Sequence, residues 1–354
     1  MVTSKIEQLP ELIKAHDRRG QLAAWVVEQL STEQGTDGQL PLKAISNDAS
    51  FRKYYRVQGP QGSLIAVDAP PETEDSAAFI AIAEDWRGHH INVPFVYAFD
   101  LEQGFMLLED FGDCLLQECL NEQSVEDLYS QALKTLRSIQ QLPAGNLPCY
   151  DEQLLRFELS LYPEWFLRSF LGLQLSDKEQ RMLEELFDHL VFSALEQPKT
   201  TVHRDFHSRN LMLGADGELG VIDFQGALYG PLLYDPVSLL KDCYQCWPPE
   251  KVQHWLLNYT NGLSQLASVS SEQILKWFDW MGLQRHLKCL GIFSRLWIRD
   301  KKASYLGDLP TTFNYVLTAC ARYPELQEHA QWLEQRVMPL LGAEVIRIQE
   351  EVKA

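Results

Sequence analysis

The chain has 354 residues, 45% of them hydrophobic, with nine tryptophans and a formal net charge of -18. That length allows about two domains of ordinary size, and the apolar content excludes a disordered chain. The acidic residues are spread along the chain, which argues against nucleic acid or an anionic membrane as partner but not against a small anion held by local arginines.

The N-terminus, Met1-Val-Thr-Ser-Lys-Ile-Glu7, lacks the apolar core of a signal peptide. No run approaches the ~18 apolar residues of a membrane span. Seven irregularly spaced cysteines fit a reducing compartment better than a disulfide framework. The expectation is a cytoplasmic protein.

Leu22, Trp25, Val26 and Leu30 fall at helical spacing within residues 18–30, and a polar break follows at Ser31–Gln39. Leu42–Ser46, Phe51–Val57 and Leu64–Ala69 read as strands joined by the turns Asn47–Ser50 and Gly59–Gly62, an antiparallel meander. Pro70-Pro71 ends the third strand. Glu74–Gly88 reads as a helix with Phe79, Ile82, Ala83 and Trp86 on one face, and Pro94–Asp100 and Gly104–Leu108 as two further strands.

Beyond Glu109-Asp-Phe-Gly-Asp113 the pattern becomes helical, over 124–141, 151–171 and 176–196 and then over 236–246, 250–262, 271–300, 310–322 and 324–350. One hairpin interrupts these helices. The expected division is therefore 1–110 and 111–354, with the cleft between the parts as the default site.

That hairpin carries the chemistry. Thr200–His203 reads as a strand, so His203-Arg-Asp205 begins a loop at a strand end, with Asn210 five residues after Asp205. Leu211–Leu213 and Leu219–Ile222 flank the turn Gly214-Ala-Asp-Gly217, and the returning strand ends at Asp223. Phosphoryl transfer from a nucleotide needs a hard divalent ion, and Mg²⁺ takes a few oxygen ligands while keeping several waters. Asp223 and Asn210 offer a carboxylate and an amide oxygen. A second carboxylate, Asp205, is placed to accept the proton of an attacking hydroxyl.

His203-Arg-Asp-Phe-His-Ser-Arg-Asn210 together with Val221-Ile-Asp-Phe-Gln225 resembles the catalytic loop and metal motif of protein-kinase-like enzymes. More narrowly, the chain resembles the aminoglycoside phosphotransferase family of small-molecule kinases. Within that family it resembles the bacterial kinases that act on the anomeric hydroxyl of N-acetylmuramate and N-acetylglucosamine. The supporting stretches are Ala49-Ser-Phe-Arg-Lys-Tyr-Tyr-Arg56, Val67-Asp-Ala-Pro-Pro-Glu72, Glu109–Asp113 and Tyr234-Asp-Pro-Val-Ser-Leu-Leu-Lys-Asp242.

The resemblance implies an α+β, protein-kinase-like bilobal fold, with a small antiparallel β N-lobe holding one helix and a larger, mostly α-helical C-lobe. It implies ATP and Mg²⁺ as cofactors and a small-molecule amino-sugar acceptor. Asp205 would be the base, Asn210 and Asp223 the metal ligands, and His203 a brace beneath the loop. Ser50, in the turn Asn47–Ser50, would stand over the phosphates, and backbone groups near Glu109 and Phe111 would meet the adenine edge.

Two departures from the family pattern stand out. Asp68 occupies the third strand where such kinases carry a lysine, leaving Arg52 or Lys53 to supply the charge. Gly226 stands where a second acid is expected. His207 and Arg209, inside the loop, are candidates to touch the acceptor. Glu158, Tyr162 and Trp165 could wall its pocket, and the basic group Arg295, Arg299 and Lys301 could meet a substrate carboxylate. Asp235-Pro236 reads as a helix start. Cys243-Tyr-Gln-Cys246 has metal-ligand spacing without a second pair, so zinc is not expected.

The competing functions are a kinase for another small acceptor (an aminoglycoside, choline or homoserine) and a non-catalytic nucleotide-binding protein. A cationic acceptor would call for a cluster of acids in the pocket. A non-catalytic relative would be expected to lose the base or the metal acid, and both are present here.

Overall fold

The computed structural model describes residues 9–30, 41–45 and 51–353, with side chains described over 18–30, 41–45 and 51–348. The expected break at Ser31–Gln39 and the turn Asn47–Ser50, including Ser50 itself, lie outside the described residues. The chain separates into two compact units, Met1–Cys114 with Met212–Gln225 and Leu115–Leu211 with Gly226–Ala354. Most of the hairpin after the loop thus groups with the N-terminal unit.

In the first unit, strands β1 (Lys43–Ala44), β2 (Lys53–Gly59), β3 (Gly62–Asp68), β4 (Val96–Asp100) and β5 (Phe105–Glu109) form an antiparallel sheet in the order β1-β2-β3-β5-β4. Helix α1 (Leu9–Leu30) lays Leu22, Trp25 and Val26 on Tyr55, Val57, Ala66, Phe105 and Leu107. Its Arg18 donates from Nε to Asp68 at 2.9 Å. The third-strand carboxylate is therefore neutralised from within its own unit.

Helix α2 (Ser76–Gly88) starts at Asp75, whose side chain accepts from the Ala78 N–H as an N-cap. It buries Phe79, Ile80, Ala83 and Trp86, so Ile80 holds the place expected of Ile82. Phe79 and Trp86 pack on Phe224, with ring centroids 4.8 and 5.7 Å apart.

Strands β7 (Leu211–Leu213) and β8 (Leu219–Val221) form the returning hairpin. On β8, a Cβ at Gly220 would lie 2.4 Å from the Phe111 ring, so glycine is what admits that ring.

The second unit is built from α3 (Val125–Gln140), α4 (Glu152–Leu161), α5 (Asp177–Leu195), α6 (Tyr234–Leu240), α7 (Pro249–Thr260), α8 (Ser271–Asp300) and α9 (Leu309–Arg322). The helix expected over 151–171 changes to π-helical winding at Tyr162–Phe170. Pro163 removes a backbone donor there, and Gly291 of α8 presses so close that a Cβ would meet the Leu161 backbone at 2.5 Å. The pair β6 (Lys199–Val202) and β9 (Leu228–Pro231) is antiparallel, and β9 was not among the expected strands. The helix expected over 236–246 ends at Leu240. No helix among the described residues is long and apolar enough to cross a membrane.

Helix α8 is the axis of this unit and is buried at every position from Trp277 to Leu296 except Ile292 and Arg295. Its His286 lies flat on Tyr315, 4.7 Å between centroids, and donates from Nε2 to the Lys241 carbonyl at 2.9 Å. Burial first, then the charges of Arg285 and Lys241, push this imidazole down to about 3 against the opposing carbonyl bond.

A folded-state value below the ordinary 6.5 means that the unfolded chain binds the extra proton. The contribution is complete above pH 6.5 and is lost as pH falls toward 3, at about 1.4 kcal/mol per pH unit. Between pH 7 and pH 5 the wild type should therefore lose about 2 kcal/mol more urea-unfolding free energy than His286→Gln. Equal losses in the two proteins would remove His286 as the source.

Candidate active site

Pairing of β6 with β9 delivers the chain to His203 at the strand end. His203 is fully buried, edge-on to Phe206 at 5.7 Å, and its Nδ1 accepts from the Asp205 N–H at 3.2 Å. The loop backbone is fastened to two carboxylates. Asp235 accepts from the N–H groups of His203 and Arg204 at 2.7 and 2.9 Å. Asp242 accepts from the Ser208 N–H at 3.0 Å and the Ser208 hydroxyl at 2.5 Å. Burial pushes Asp235 up to about 7 against its two backbone donors.

Inside the loop, the Asn210 amide nitrogen donates to the Asp205 carbonyl at 2.9 Å, which turns the amide oxygen to the other side. Arg204 has φ +80°, in the left-handed region that non-glycine residues seldom occupy. Its guanidinium donates to Glu158 at 2.6 Å.

Glu158 is buried and also accepts from Tyr150, from Gln284 at 3.1 Å and from Lys288 at 2.9 Å. Lys288 donates in turn to the Tyr234 hydroxyl at 3.0 Å. Burial acts to raise both carboxyl groups, but nearby cations outweigh it. Lys288 and Arg204 keep Glu158 below its usual range, and Lys288, His207, Arg204 and Arg285 hold Asp205 at about 2.

His207 stands edge-on to Tyr244 at 5.2 Å. The Arg209 guanidinium lies 3.6 Å over the same ring while its Nε donates to Gln117 at 2.7 Å. Arg299 is exposed and grips its neighbour Asp300 with two bonds of 2.8 Å. Cys243 is buried beside Arg285 at 3.7 Å and Cys246 lies 3.2 Å from Tyr315. Among the described residues no group of three or more His, Cys, Asp or Glu could hold a metal.

The first unit holds a second polar group. Asp223 follows β8 with φ +62° and its carboxylate accepts from Gln225 at 2.7 Å. Arg52 is buried, paired with Glu74 at 3.1 Å and 5.4 Å from the Phe79 ring centroid. Burial lifts the Tyr54 hydroxyl to about 12, with Arg52 opposing and the charges of Asp223 and Glu74 adding to the rise. Strand alternation leaves Lys53 exposed.

The Glu109 side chain accepts from Arg87 and from the Phe95 N–H, both at 3.0 Å, and its own N–H donates to the Phe95 carbonyl at 2.9 Å. Phe111 rests against Gly220. Arg56 clamps the stretch after β5, donating to Asp110 at 2.6 and 3.0 Å and to Asp113 at 2.7 and 2.9 Å. This joins two of the stretches that carried the resemblance.

Lys288, Arg285, Tyr150 and Gln284 did not emerge from the sequence reading, and Asp242 appeared there only as the end of a quoted stretch, without a role. For Asp242 a signal existed in the expected helix 236–246, where it would stand seven residues, two turns, after Asp235, although the helix itself ends at Leu240. For Lys288, Arg285 and Gln284 there was none, because their partners are distant in the chain, and Tyr150 stands outside the helix that carries its partner Glu158.

Residues 41–271 match the model of the phosphotransferase enzyme family. An N-acetylmuramate/N-acetylglucosamine kinase of Pseudomonas aeruginosa is 42% identical, covering 88% of this chain and 95% of that protein. One of Pseudomonas putida is 41% identical, with the same shares covered. Among solved structures, a Plasmodium vivax ethanolamine kinase superposes with a TM-score of 0.59 at 13% identity, over 82% of this chain and 83% of that one, which shows the fold. With that fold, and with relatives of this identity along most of its length, the chain belongs to the phosphotransferase enzyme family.

Proposed function

We propose that this phosphotransferase is a kinase for the amino sugars N-acetylmuramate and N-acetylglucosamine, acting on the anomeric hydroxyl. The acceptor class rests on the relatives that are about 40% identical over most of the chain. The chemistry rests on one observation: Asp205 is held ionised among cations, on a loop whose backbone is fastened by Asp235 and Asp242. A carboxylate held this low stays an acceptor for the hydroxyl hydrogen and takes the proton only late, as the new bond forms.

When bound, ATP would supply the transferable phosphoryl group and Mg²⁺ would neutralise its charge. Such an ion takes hard oxygen ligands, and Asn210 and Asp223, the residues to which the resemblance gives that role, would offer an amide oxygen and a carboxylate.

In this reading Arg52, braced by Glu74, takes the place of the missing third-strand lysine, with Lys53 as an outer contact. The Glu109 N–H is already engaged, so its carbonyl and the Phe111 N–H are the groups for the adenine edge. His203 keeps the loop in shape, and His207 and Arg209 line the acceptor side. Glu158 acts from beneath, through Arg204 and Lys288.

The test is an acceptor screen with ATP and Mg²⁺, following ADP release and loss of reducing-end reactivity. Turnover of both N-acetyl sugars with loss of the free anomeric centre is expected. Phosphorylation confined to another acceptor, such as choline or an aminoglycoside, would overturn the substrate assignment and leave the kinase.

A further inference from the structure

Helix α8 presents Arg285, Lys288, Ile292, Arg295 and Arg299 along one face, at spacings of three and four residues. The first two of these cations act on Asp205. The helix is closed to solvent from Trp277 until Ile292 and Arg295, one and two turns beyond Lys288, where that same face opens. The cations along it are not equivalent. Arg285 lies against Cys243, Lys288 holds Glu158 and Tyr234, and Arg299 is gripped by Asp300.

Arg295 makes no hydrogen bond or ion pair with the described residues, and its Nε is buried without a partner. A half-buried guanidinium with an unmet donor carries a desolvation cost that an incoming anion would offset. Its planar fork matches a carboxylate.

Of the two acceptors proposed above, N-acetylmuramate carries a carboxylate on its lactyl ether and N-acetylglucosamine does not. From Lys288 to Arg295 the helix advances ~10 Å, a separation suited to a hexose whose anomeric end faces Asp205 and whose ether substituent points along α8. We infer that Arg295 binds the carboxylate of the acidic amino sugar and sets the preference for it over the neutral one, with Ile292 forming the floor beside it. The inference rests on the amino-sugar reading of the site.

The experiment measures kcat and KM of wild type, Arg295→Gln and Arg295→Lys with both sugars at saturating ATP and Mg²⁺. Arg295→Gln should lower kcat/KM for N-acetylmuramate by about 10- to 100-fold, mostly through KM, as expected for one lost charge-assisted bond. Its effect on N-acetylglucosamine should stay within about threefold, and Arg295→Lys should recover part of the loss. The glutamine variant removes an unpaired charge and should melt no lower than wild type. If it is nevertheless poorly folded, the lysine variant carries the test, with a selective rise in KM for the acidic sugar expected from its lost fork. Equal losses on both sugars, or none on N-acetylmuramate, would overturn the inference while leaving the amino-sugar kinase intact. A wild type inactive on both would overturn that reading and this inference with it.

Discussion

Asp205→Asn is expected to lower kcat by about 10²- to 10⁴-fold, the usual contribution of a positioned proton acceptor, with nucleotide binding and melting temperature close to wild type. The asparagine keeps the size of the side chain. The bonds that shape the loop use the Asp205 backbone: its carbonyl accepts from His207 N–H at 3.0 Å and from Asn210, and its N–H donates to His203. What disappears is a group able to take a proton. Steady-state kinetics, ATP titration by calorimetry and a thermal melt on the same preparation separate these effects. Unchanged turnover would remove Asp205 from the chemistry, and a large loss of melting temperature would make its role structural.

The second large effect is expected at Glu158. Its carboxylate faces two cations, Lys288 and Arg204, and two neutral donors, Tyr150 and Gln284, in a region closed to water. Glu158→Ala leaves Lys288 buried without its counter-ion, and breaking one side of a buried pair costs about 3–5 kcal/mol. Arg204, released from Glu158, would no longer hold the left-handed backbone beside Asp205, so kcat should fall as well. Glu158→Gln keeps the shape and one acceptor oxygen, and should fall between the two in both stability and rate. Urea unfolding of the three proteins measures the ordering. Losses below about 1 kcal/mol in the alanine variant would show that Lys288 and Arg204 find other partners.

The contrast between these two residues shows what the sequence could and could not reveal. The places of Asp205 and Asn210 in a loop after a strand, and of Asp223 at the end of the returning hairpin, could be read because these elements follow one another within a short segment. Glu158 was singled out from a helix as a wall of the sugar pocket, yet its partners stand at Arg204, Gln284 and Lys288, too far along the chain for any local pattern to join them.

The same holds for Asp68. Standing where the family carries a lysine, it read as an unexplained carboxylate, and only folding brings Arg18 against it. The missed strand β9 has a different cause. Leu228-Tyr-Gly-Pro231 carries two residues that normally end strands, but Gly230 is required because a Cβ would meet Tyr150 at 2.6 Å. Helix α6 stopped short of the expected 246 because the Asp242 carboxylate turns to Ser208 and to the Tyr244 N–H at 3.0 Å.

Asp235 and Asp242 hold the catalytic loop by its main chain, through the N–H groups of His203, Arg204 and Ser208. Apart from the Ser208 hydroxyl, that fastening uses only the main chain of the loop. Exchanging His207 or Arg209 leaves every one of those donors in place, so these two positions can vary without loosening the bonds to Asp235 and Asp242. On the proposed reading, in which these two side chains line the acceptor side, substitution there would alter the acceptor while leaving the frame that holds Asp205 in place.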